Sequence, residues 1–167
     1  YSAALDTAPG FMVTITRTTT SGPTAYHSAL GATKYLRTDS SAVAVDSASR
    51  WNDVEPTTTQ FTVGTSDPTN ANGVTIISYH WANSGPYQWG SYYGNNNSDG
   101  PMISVSGSPV NYFSKHTASG ESWWNIPTVL TGNEANTVQQ RLRLDTTAAP
   151  SVSASMIWDY LSNGVKI

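Results

Sequence analysis

The sequence predicts an all-β protein, an antiparallel β-sandwich of jelly-roll type built from two related β-rich repeats. Three observations predict this class. Apolar residues alternate with Thr and Ser over short stretches. Each stretch is flanked by Gly, Pro, Asn or Asp, and several segments of the first half recur in the second. Two sheets packed face to face would bury one side of each alternating strand. The 6 Trp, 9 Tyr and 3 Phe supply apolar area for a core.

The alternating stretches are the predicted strands. In chain order they are residues 11–17, 59–63, 74–81, 102–105 and 110–115. The second and third flank a segment rich in turn-forming residues, so we expect them to form a hairpin. Residues 133–142 contain no Gly or Pro but have poor apolar spacing, so we expect at most one short helix or an irregular loop there.

An internal repeat is the most informative feature of the chain. Residues 36–42 (LRTDSSA) match residues 142–148 (LRLDTTA). The further landmarks are Pro9 with Pro109, residues 21–22 with 119–120, Tyr26 with Trp124, Trp51 with Trp158, and residues 61–63 with 165–167. Their matched order favours two copies of one β-rich module over chance similarity in a sequence rich in Ser, Thr and Ala.

The repeat predicts how the chain is divided. Residues 1–81 form the first β-repeat, residues 82–100 an aromatic, Asn- and Gly-rich connection, and residues 101–167 the second β-repeat, with one compact domain as the alternative. The second repeat has no counterpart of the strand at 74–81. We therefore expect that the sequence belongs to a longer protein or that a neighbouring chain supplies this strand, because native proteins cover sheet edges.

Composition and charge exclude several classes of function. Only 11% of the residues are charged, the net charge is −3, and 22 Ser and 22 Thr supply most of the polarity. Binding a phosphate backbone requires a basic patch, which the 8 Lys and Arg do not form, so we expect no nucleic-acid partner. No apolar run approaches the roughly 20 residues of a membrane span, so we expect no membrane partner. Without Cys the chain has no disulfide and no thiolate site.

Acids and histidines are the candidate catalytic groups. Asp53 and Glu55 are the only acids close in sequence, and glycoside hydrolysis needs two carboxyl groups about 5–9.5 Å apart. They precede a proline and a Thr run, which favours a solvated turn. His27, His80 and His116 lie on or beside predicted strands, and no Ser occupies a Gly-x-Ser-x-Gly turn. We expect no enzymatic activity.

One loop imitates part of a metal site. Asn95, Asn97 and Asp99 alternate before Gly100, as in the first half of a calcium loop. The twelfth position, where such a loop has a bidentate Glu, falls on Ser106. The residues therefore favour a polar turn, and we expect neither a metal nor a cofactor.

Aromatic residues are the candidate contact residues for a glycan or another subunit. They are Tyr87, Trp89, Tyr92 and Tyr93 in the connection, and the adjacent Trp123 and Trp124. Consecutive side chains of a strand point to opposite faces, so we expect one of the two adjacent tryptophans at the surface. Exposed rings beside Asn, Ser and Thr suit stacking on a pyranose. The alternative is that these rings fill the core or pack against a partner subunit.

Several segments resemble a known family. Residues 90–101 (GSYYGNNNSDGP), the Trp pair at 123–124 and residues 159–167 (DYLSNGVKI) resemble a β-rich domain of tail-fibre and other virion proteins of tailed bacteriophages. Residues 31–36 (GATKYL), 61–64 (FTVG) and 74–81 (VTIISYHW) are similar to that family's first copy. Val165 stands where Phe is more usual. In that family the second copy continues into another strand, which implies that this chain is truncated.

The resemblance implies a setting and a role. It implies a bacteriophage virion structural protein on the particle surface, a tail-fibre or appendage module acting in assembly and host-surface attachment. The expected partners are other virion subunits in a homo-oligomer, with a trimer favoured. The aromatic candidates add a host surface glycan as a further expected partner. It supplies no catalytic residue. The alternatives are a capsid decoration or head-fibre protein, a secreted carbohydrate-binding module and a glycan-degrading enzyme.

Overall fold

A computed structural model describes residues 5–118, 120, 123–127, 137–138, 140–152 and 158–167. The protein is 33% strand and 6% helix, and the strands of its sheets pair antiparallel, which confirms the all-β class. Within the described residues, no helix has the length and apolar character needed to cross a membrane.

The chain divides into two compact units. The first comprises Tyr1–Gly90 with Thr117–Glu121, and the second comprises Ser91–His116 with Ser122–Ile167. The division at Gly90 falls inside the segment 82–100 that the sequence marks as a connection.

The first unit contains one five-stranded sheet and two short helices. The strands are β1 (Pro9–Thr16), β2 (Thr24–His27), β3 (Lys34–Arg37), β4 (Val45–Asp46) and β5 (Ile76–Ala82), in the spatial order β4-β3-β2-β1-β5. The helices are α1 (Ala48–Trp51) and α2 (Asp67–Asn70). The helix α1 ends where Asn52 adopts the left-handed conformation, and α2 begins with a proline in its first turn.

The core of the first unit lies on one face of this sheet. Met12 of β1 and its cross-strand partner Tyr26 of β2 pack with Ala32 and with Trp51 of α1. Phe61 packs against this group from the segment that follows α1. Alternation along β1 directs the neighbouring residues to the other face of the sheet.

The predicted hairpin between residues 59–63 and 74–81 is wrong. Residues 74–81 contain β5, but β5 pairs with β1, and residues 59–63 contain only an isolated bridge at Gln60. The backbone of the intervening segment is bonded elsewhere, because the Gly64 N–H donates to the Arg50 carbonyl and the Ser66 N–H to the Ser49 carbonyl. A Cβ at Gly64 would lie 2.5 Å from the Ser49 carbonyl carbon, so only glycine permits this approach.

The described residues of the second unit form two four-stranded sheets. One has the order β11 (Ser151–Val152), β10 (Gln140–Arg143), β8 (Trp124–Pro127), β7 (Asn111–Ser114). The other has the order β6 (Met102–Ser104), β13 (Gly164–Lys166), β12 (Trp158–Leu161), β9 (Thr137–Val138). The helix or loop expected at 133–142 is wrong over 137–138 and 140–142, which form strands. Residues 133–136 and 139 lie outside the described residues.

The core of the second unit joins its two sheets. Trp158, Tyr160 and Val165 of one sheet are buried, and Tyr112 and Trp124 of the other pack against them. Burial raises the pKa of Tyr112 far above its ordinary value, with the neighbouring Tyr92 adding to the rise. Burial also raises the pKa of Tyr160. Both phenols are therefore neutral near neutral pH.

The two units share a strand order and a pairing register. The sheet β4-β3-β2-β1 corresponds to β11-β10-β8-β7. The matching pairs are Met12–Tyr26 with Tyr112–Ile126, Thr14–Thr24 with Ser114–Trp124, Ala25–Leu36 with Asn125–Leu142, and Lys34–Asp46 with Gln140–Val152. Residue numbers differ by 100 for the first two strands and by 106 for the next two.

Several of the sequence landmarks do not follow this register, among them residues 61–63, which are not a strand, with 165–167, which include part of β13. Trp124 takes the position of Thr24, so its alignment with Tyr26 is two residues out. Trp51 lies in α1 and Trp158 in β12, so their match joins different kinds of element. The register therefore supports a duplicated four-stranded sheet, while the elements that follow β4 and β11 differ in their described parts.

Candidate functional site

The register of the first sheet gathers aromatic residues on the face opposite the core. Phe11 of β1 pairs with His27 of β2 on one side and with Trp81 of β5 on the other. Paired residues share a face, so these three rings lie side by side. Tyr79 lies on the same face two residues before Trp81, and Trp89 comes from the following loop. We call these five residues the aromatic surface.

The rings of the aromatic surface are in mutual contact. Phe11 and Trp89 stack with centroids 4.7 Å apart at 17°, and Trp81 lies 5.7 Å from Phe11. Tyr79 stacks on Trp81 at 6.2 Å, and His27 meets the edge of Trp89 at 6.2 Å. Such separations are favourable for aromatic pairs. The five rings therefore form one continuous platform.

Two residues hold Trp89 on the platform. The Asn83 side chain binds the backbone of Trp89 twice. The Trp89 backbone N–H donates to Asn83 Oδ1 at 2.8 Å, and Asn83 Nδ2 donates to the Trp89 carbonyl at 3.1 Å. Gly10 provides the space, since a Cβ there would lie 2.5 Å from Trp89 Cδ1. The loop is thus fixed by a side-chain clamp and by the absence of a side chain.

The aromatic surface is buried at one end and open at the other. Phe11 is buried, whereas Tyr79 is 49% exposed. Ile77 on β5 and its partner Ile15 on β1 extend the open end and are 40% and 37% exposed. Contiguous exposed apolar side chains of this kind mark contact surfaces.

A groove borders the platform. It has a volume of about 270 Å³, close to the lower limit of small-ligand sites, and Trp81 and Tyr87 supply aromatic walls. Asp6, His80 and Ser84 line it with a carboxylate, an imidazole and a hydroxyl. The groove therefore combines ring faces with hydrogen-bonding groups, which is the chemistry that sugars require.

Both histidines of this region favour the neutral state. Burial lowers the pKa of His27, and its Nδ1 accepts a hydrogen bond from the Ala29 N–H at 3.0 Å. Burial also lowers the pKa of His80, whose Nε2 lies 2.6 Å from the Ser78 hydroxyl oxygen. Ser78 and His80 are two apart in β5 and share a face, which accounts for this contact. Both imidazoles therefore favour the uncharged form near neutral pH.

Only part of this site could be found in the sequence. Tyr87 and Trp89 were candidates, and they lie at the groove and on the platform. Phe11, Tyr79 and Trp81 were missed as site residues, although their strands were predicted. The alternation at 79–81 indicates that Tyr79 and Trp81 share a face, but the pairing with β1 that places Phe11 beside them is a long-range contact.

The other four aromatic candidates belong to the second unit. Tyr93 is 94% exposed and Tyr92 is also exposed. Trp123 is only 6% exposed, and Trp124 is half-buried against the core. Neither tryptophan is the exposed residue expected, because Trp123 precedes β8, so strand alternation does not apply to it, and Trp124 points to the core.

The candidate acids Asp53 and Glu55 have separate surroundings. Glu55 accepts hydrogen bonds from the Tyr26 hydroxyl and from the Ala32 N–H, each at 2.7 Å. Asp53 is exposed in a turn with a φ of 53°. Glu55 thus tethers three segments of the fold.

The loop at 95–100 is held by its own hydrogen bonds. Asn95 Nδ2 donates to the Asp99 carbonyl at 2.9 Å, and Asn97 Oδ1 accepts from the Asp99 N–H at 3.1 Å. The Asp99 carboxylate forms an ion pair with Lys166. Across the part of the chain that the structure describes, no three His, Asp or Glu side chains are grouped to hold a metal ion.

These features define an all-β protein whose most distinctive surface is an aromatic platform beside a shallow groove. The chain belongs to the family described as "Domain of unknown function (DUF7483)", whose model matches residues 1–167. No curated protein and no solved structure matches the chain.

Proposed function

We propose that this protein is a non-enzymatic structural protein of a bacteriophage virion, a tail-fibre or appendage module acting in assembly and host-surface attachment. The observation that carries the proposal is the aromatic surface of the first unit, which is open to solvent at its Tyr79 end. It suits contact rather than chemical conversion. The resemblance of residues 90–101 and 159–167 to tail-fibre and virion domains supplies the setting, a particle surface outside the cell.

Self-association is the first part of this role. Ile15, Ile77 and Tyr79 form an exposed apolar patch at the open end of the aromatic surface. The edge strand β5 carries two of them and contains no Lys, Arg, Asp, Glu or Pro that would discourage association. We infer a symmetric homo-oligomer that covers this patch, with a trimer favoured, among other virion subunits.

Host attachment is the second part. Tyr87 and Trp81 can stack against the apolar face of a sugar, while Asp6 can accept hydrogen bonds from its hydroxyls and Ser84 can accept or donate them. The groove is therefore the proposed contact for a host surface glycan. Tyr92 and Tyr93 remain candidates for glycan or subunit contact, because both are exposed.

The finer fold is also part of the proposal. The contact between the two sheets of the second unit, through Tyr112 and Trp124 on one side and Trp158 and Tyr160 on the other, supports a small β-sandwich. A jelly-roll-like arrangement of this kind fits an appendage module.

A non-enzymatic role is supported by what the acids do. Glu55 is engaged with Tyr26 and Ala32, and Asp99 with Lys166. Asp6 in the groove is one carboxyl group, whereas the hydrolysis of glycosides ordinarily uses two. Turnover of a host polysaccharide that is abolished by Asp53→Asn with Glu55→Gln would contradict the proposal.

A second candidate function follows from the groove alone. A secreted carbohydrate-binding module would use the same Tyr87 and Trp81 rings but would act as a monomer. A capsid decoration or head-fibre protein differs only in its position on the particle. Oligomeric state therefore distinguishes a carbohydrate-binding module from the proposed appendage module. Location on the particle distinguishes a capsid decoration or head-fibre protein from it.

Light scattering at micromolar concentration tests the proposal. We expect a trimer of the 17.9 kDa chain, and Ile77→Lys should shift it toward the monomer because it places a charge in the covered patch. A monomer that binds a glycan array through Tyr87, with binding lost in Tyr87→Ala and kept in Tyr93→Ala, would favour the secreted module instead.

A further inference from the structure

The outer edge of β7 corresponds to the edge of β1 that pairs with β5 in the first unit. β7 matches β1 in strand order and in register with its neighbour. β1 pairs with β2 on one side and with β5 on the other. Among the described residues, no strand pairs with the side of β7 that corresponds to the β5 side of β1. In its described residues the second sheet thus has four strands where the first has five.

The residues of β7 leave this edge open to pairing. Edge strands are usually protected by charged residues, prolines or bulges. The strand β7 contains no charged residue and no proline, and it pairs with β8 without a bulge. Phe113 is 43% exposed although its counterpart Val13 is buried. Pro109 and Lys115 flank β7, although neither lies within it, and the exposed ring of Phe113 is a second sign of a missing neighbour.

The first unit defines what the missing neighbour looks like. Along β5, Tyr79 pairs with Val13, and His80 pairs with Met12. Because Phe113 and Tyr112 of β7 correspond to Val13 and Met12 of β1, the missing strand should place one residue opposite Phe113, as Tyr79 lies opposite Val13. It should place the next residue opposite Tyr112, as His80 lies opposite Met12. β5 contains no Lys, Arg, Asp or Glu, and neither does β7. The fitting partner is therefore an uncharged extended segment with a bulky apolar residue opposite Phe113.

We propose that the outer edge of β7 is a docking site for an extended segment with the residue pattern of β5, donated by a partner chain and added antiparallel to the sheet. Backbone hydrogen bonds to residues 111–114 supply the affinity, and the side chain opposite Phe113 supplies specificity. The inference rests on the strand register and not on the proposed virion role, so either can fail alone.

A peptide titration tests the proposal. The probe is a fluorescent peptide with the sequence of residues 74–83 (VTIISYHWAN), added to the intact chain. We expect saturable binding and slower amide hydrogen exchange confined to residues 111–114. Phe113→Lys should weaken the affinity about fivefold or more, since it replaces one apolar cross-strand pair with a charge, and Phe113→Leu should retain binding.

Matched controls separate the β7 edge from the β5 edge. Ile77→Lys introduces the same charge at a side chain of similar exposure, 40%, on the outer strand of the first sheet. It should leave peptide affinity unchanged while altering self-association. A peptide of the same composition in scrambled order should bind at least about fivefold more weakly, which keeps the test valid if Phe113→Lys fails to fold.

Four results would overturn the proposal. They are no saturable binding, equal binding of the scrambled peptide, loss of affinity in Ile77→Lys but not in Phe113→Lys, and full protection of residues 111–114 before any peptide is added. The last result would mean that the chain covers this edge itself. A dimer in which the β7 edges of two copies pair with each other, so that residues 111–114 are protected without peptide and Phe113→Lys dissociates the dimer, would equally contradict a β5-type segment.

Discussion

Single residues determine whether the aromatic surface keeps its shape. Trp89 stacks on Phe11 only because residue 10 has no side chain, and the Asn83 clamp holds the loop at that distance. At this scale the sequence identified Trp89 as a contact residue but gave no sign that Gly10 supports it. A glycine within a strand usually marks a close approach, and here the approaching group is an indole.

Replacing Gly10 with alanine should displace Trp89. The new Cβ would lie 2.5 Å from Cδ1, so the indole must move, at a cost of about 1–3 kcal/mol. Denaturant unfolding measures the loss, and a red shift of the tryptophan emission reports the displaced ring. Gly90→Ala is the matched control, because nothing lies within 4 Å of its Cβ position. Equal behaviour of the two variants would contradict the packing described for Trp89.

Acidification should destabilise the protein through His27. Burial lowers its pKa in the folded state, whereas the unfolded chain has a pKa of about 6.5. As the pH falls below that value, the unfolded state takes up a proton that the folded state resists, so the free energy of unfolding decreases. Thermal unfolding between about pH 7.5 and pH 5 measures this slope.

The control for the pH effect is His27→Gln, which removes the titrating group. Its stability should depend less steeply on pH than that of the unaltered protein. His80→Gln should also reduce the slope, because burial lowers the pKa of that residue too. An unchanged slope in both variants would show that neither imidazole is responsible.

Elements in the first unit are joined by side chains that come from loops. Glu55, in the segment after α1, receives hydrogen bonds from Tyr26 on β2 and from Ala32 just before β3. Burial and this carboxylate together raise the pKa of Tyr26, so the phenol remains a donor. One side chain thus fixes the position of three segments.

Glu55→Ala should reduce stability by about 1–3 kcal/mol, because it leaves the Tyr26 hydroxyl and the Ala32 N–H without their acceptor. Chemical denaturation measures the loss. Asp53→Asn is the matched control, since that exposed side chain should contribute less than about 0.5 kcal/mol. A larger effect from Asp53→Asn would contradict the structural role assigned to Glu55.

Local alternation of apolar and polar residues predicted where strands lie better than it predicted which strands pair. It identified β1, β5, β6 and β7, since each is a short apolar-polar run. It failed at residues 59–63, where Gly64 allows the chain to bond to α1 instead of to β5. The helices α1 and α2 have four residues each, which is too short for a helical period to be recognised.

At the scale of the whole chain, the duplicated pattern carried the most information. The match of residues 36–42 with 142–148 corresponds to β3 and β10, which occupy the same position in their sheets. The aromatic surface was less predictable, because it depends on which strand pairs with β1. Tyr87 and Trp89 were found by composition, whereas Phe11, Tyr79 and Trp81 required the three-dimensional register.

The scarcity of charge predicts that stability changes little with ionic strength. The ion pairs Arg37–Asp39 and Asp99–Lys166 lie at the surface, where such pairs contribute about 0–1 kcal/mol. Raising NaCl from about 0.05 M to about 1 M should therefore alter the unfolding free energy by less than about 1 kcal/mol. A larger loss would mean that screened charges contribute more to the fold than these two pairs do.

Electron microscopy of phage particles decorated with an antibody against this protein shows whether it belongs to a tail appendage. We expect label at symmetric positions on tail fibres or related appendages. Label confined to the capsid, or particles without label although the antibody binds the purified protein, would contradict it.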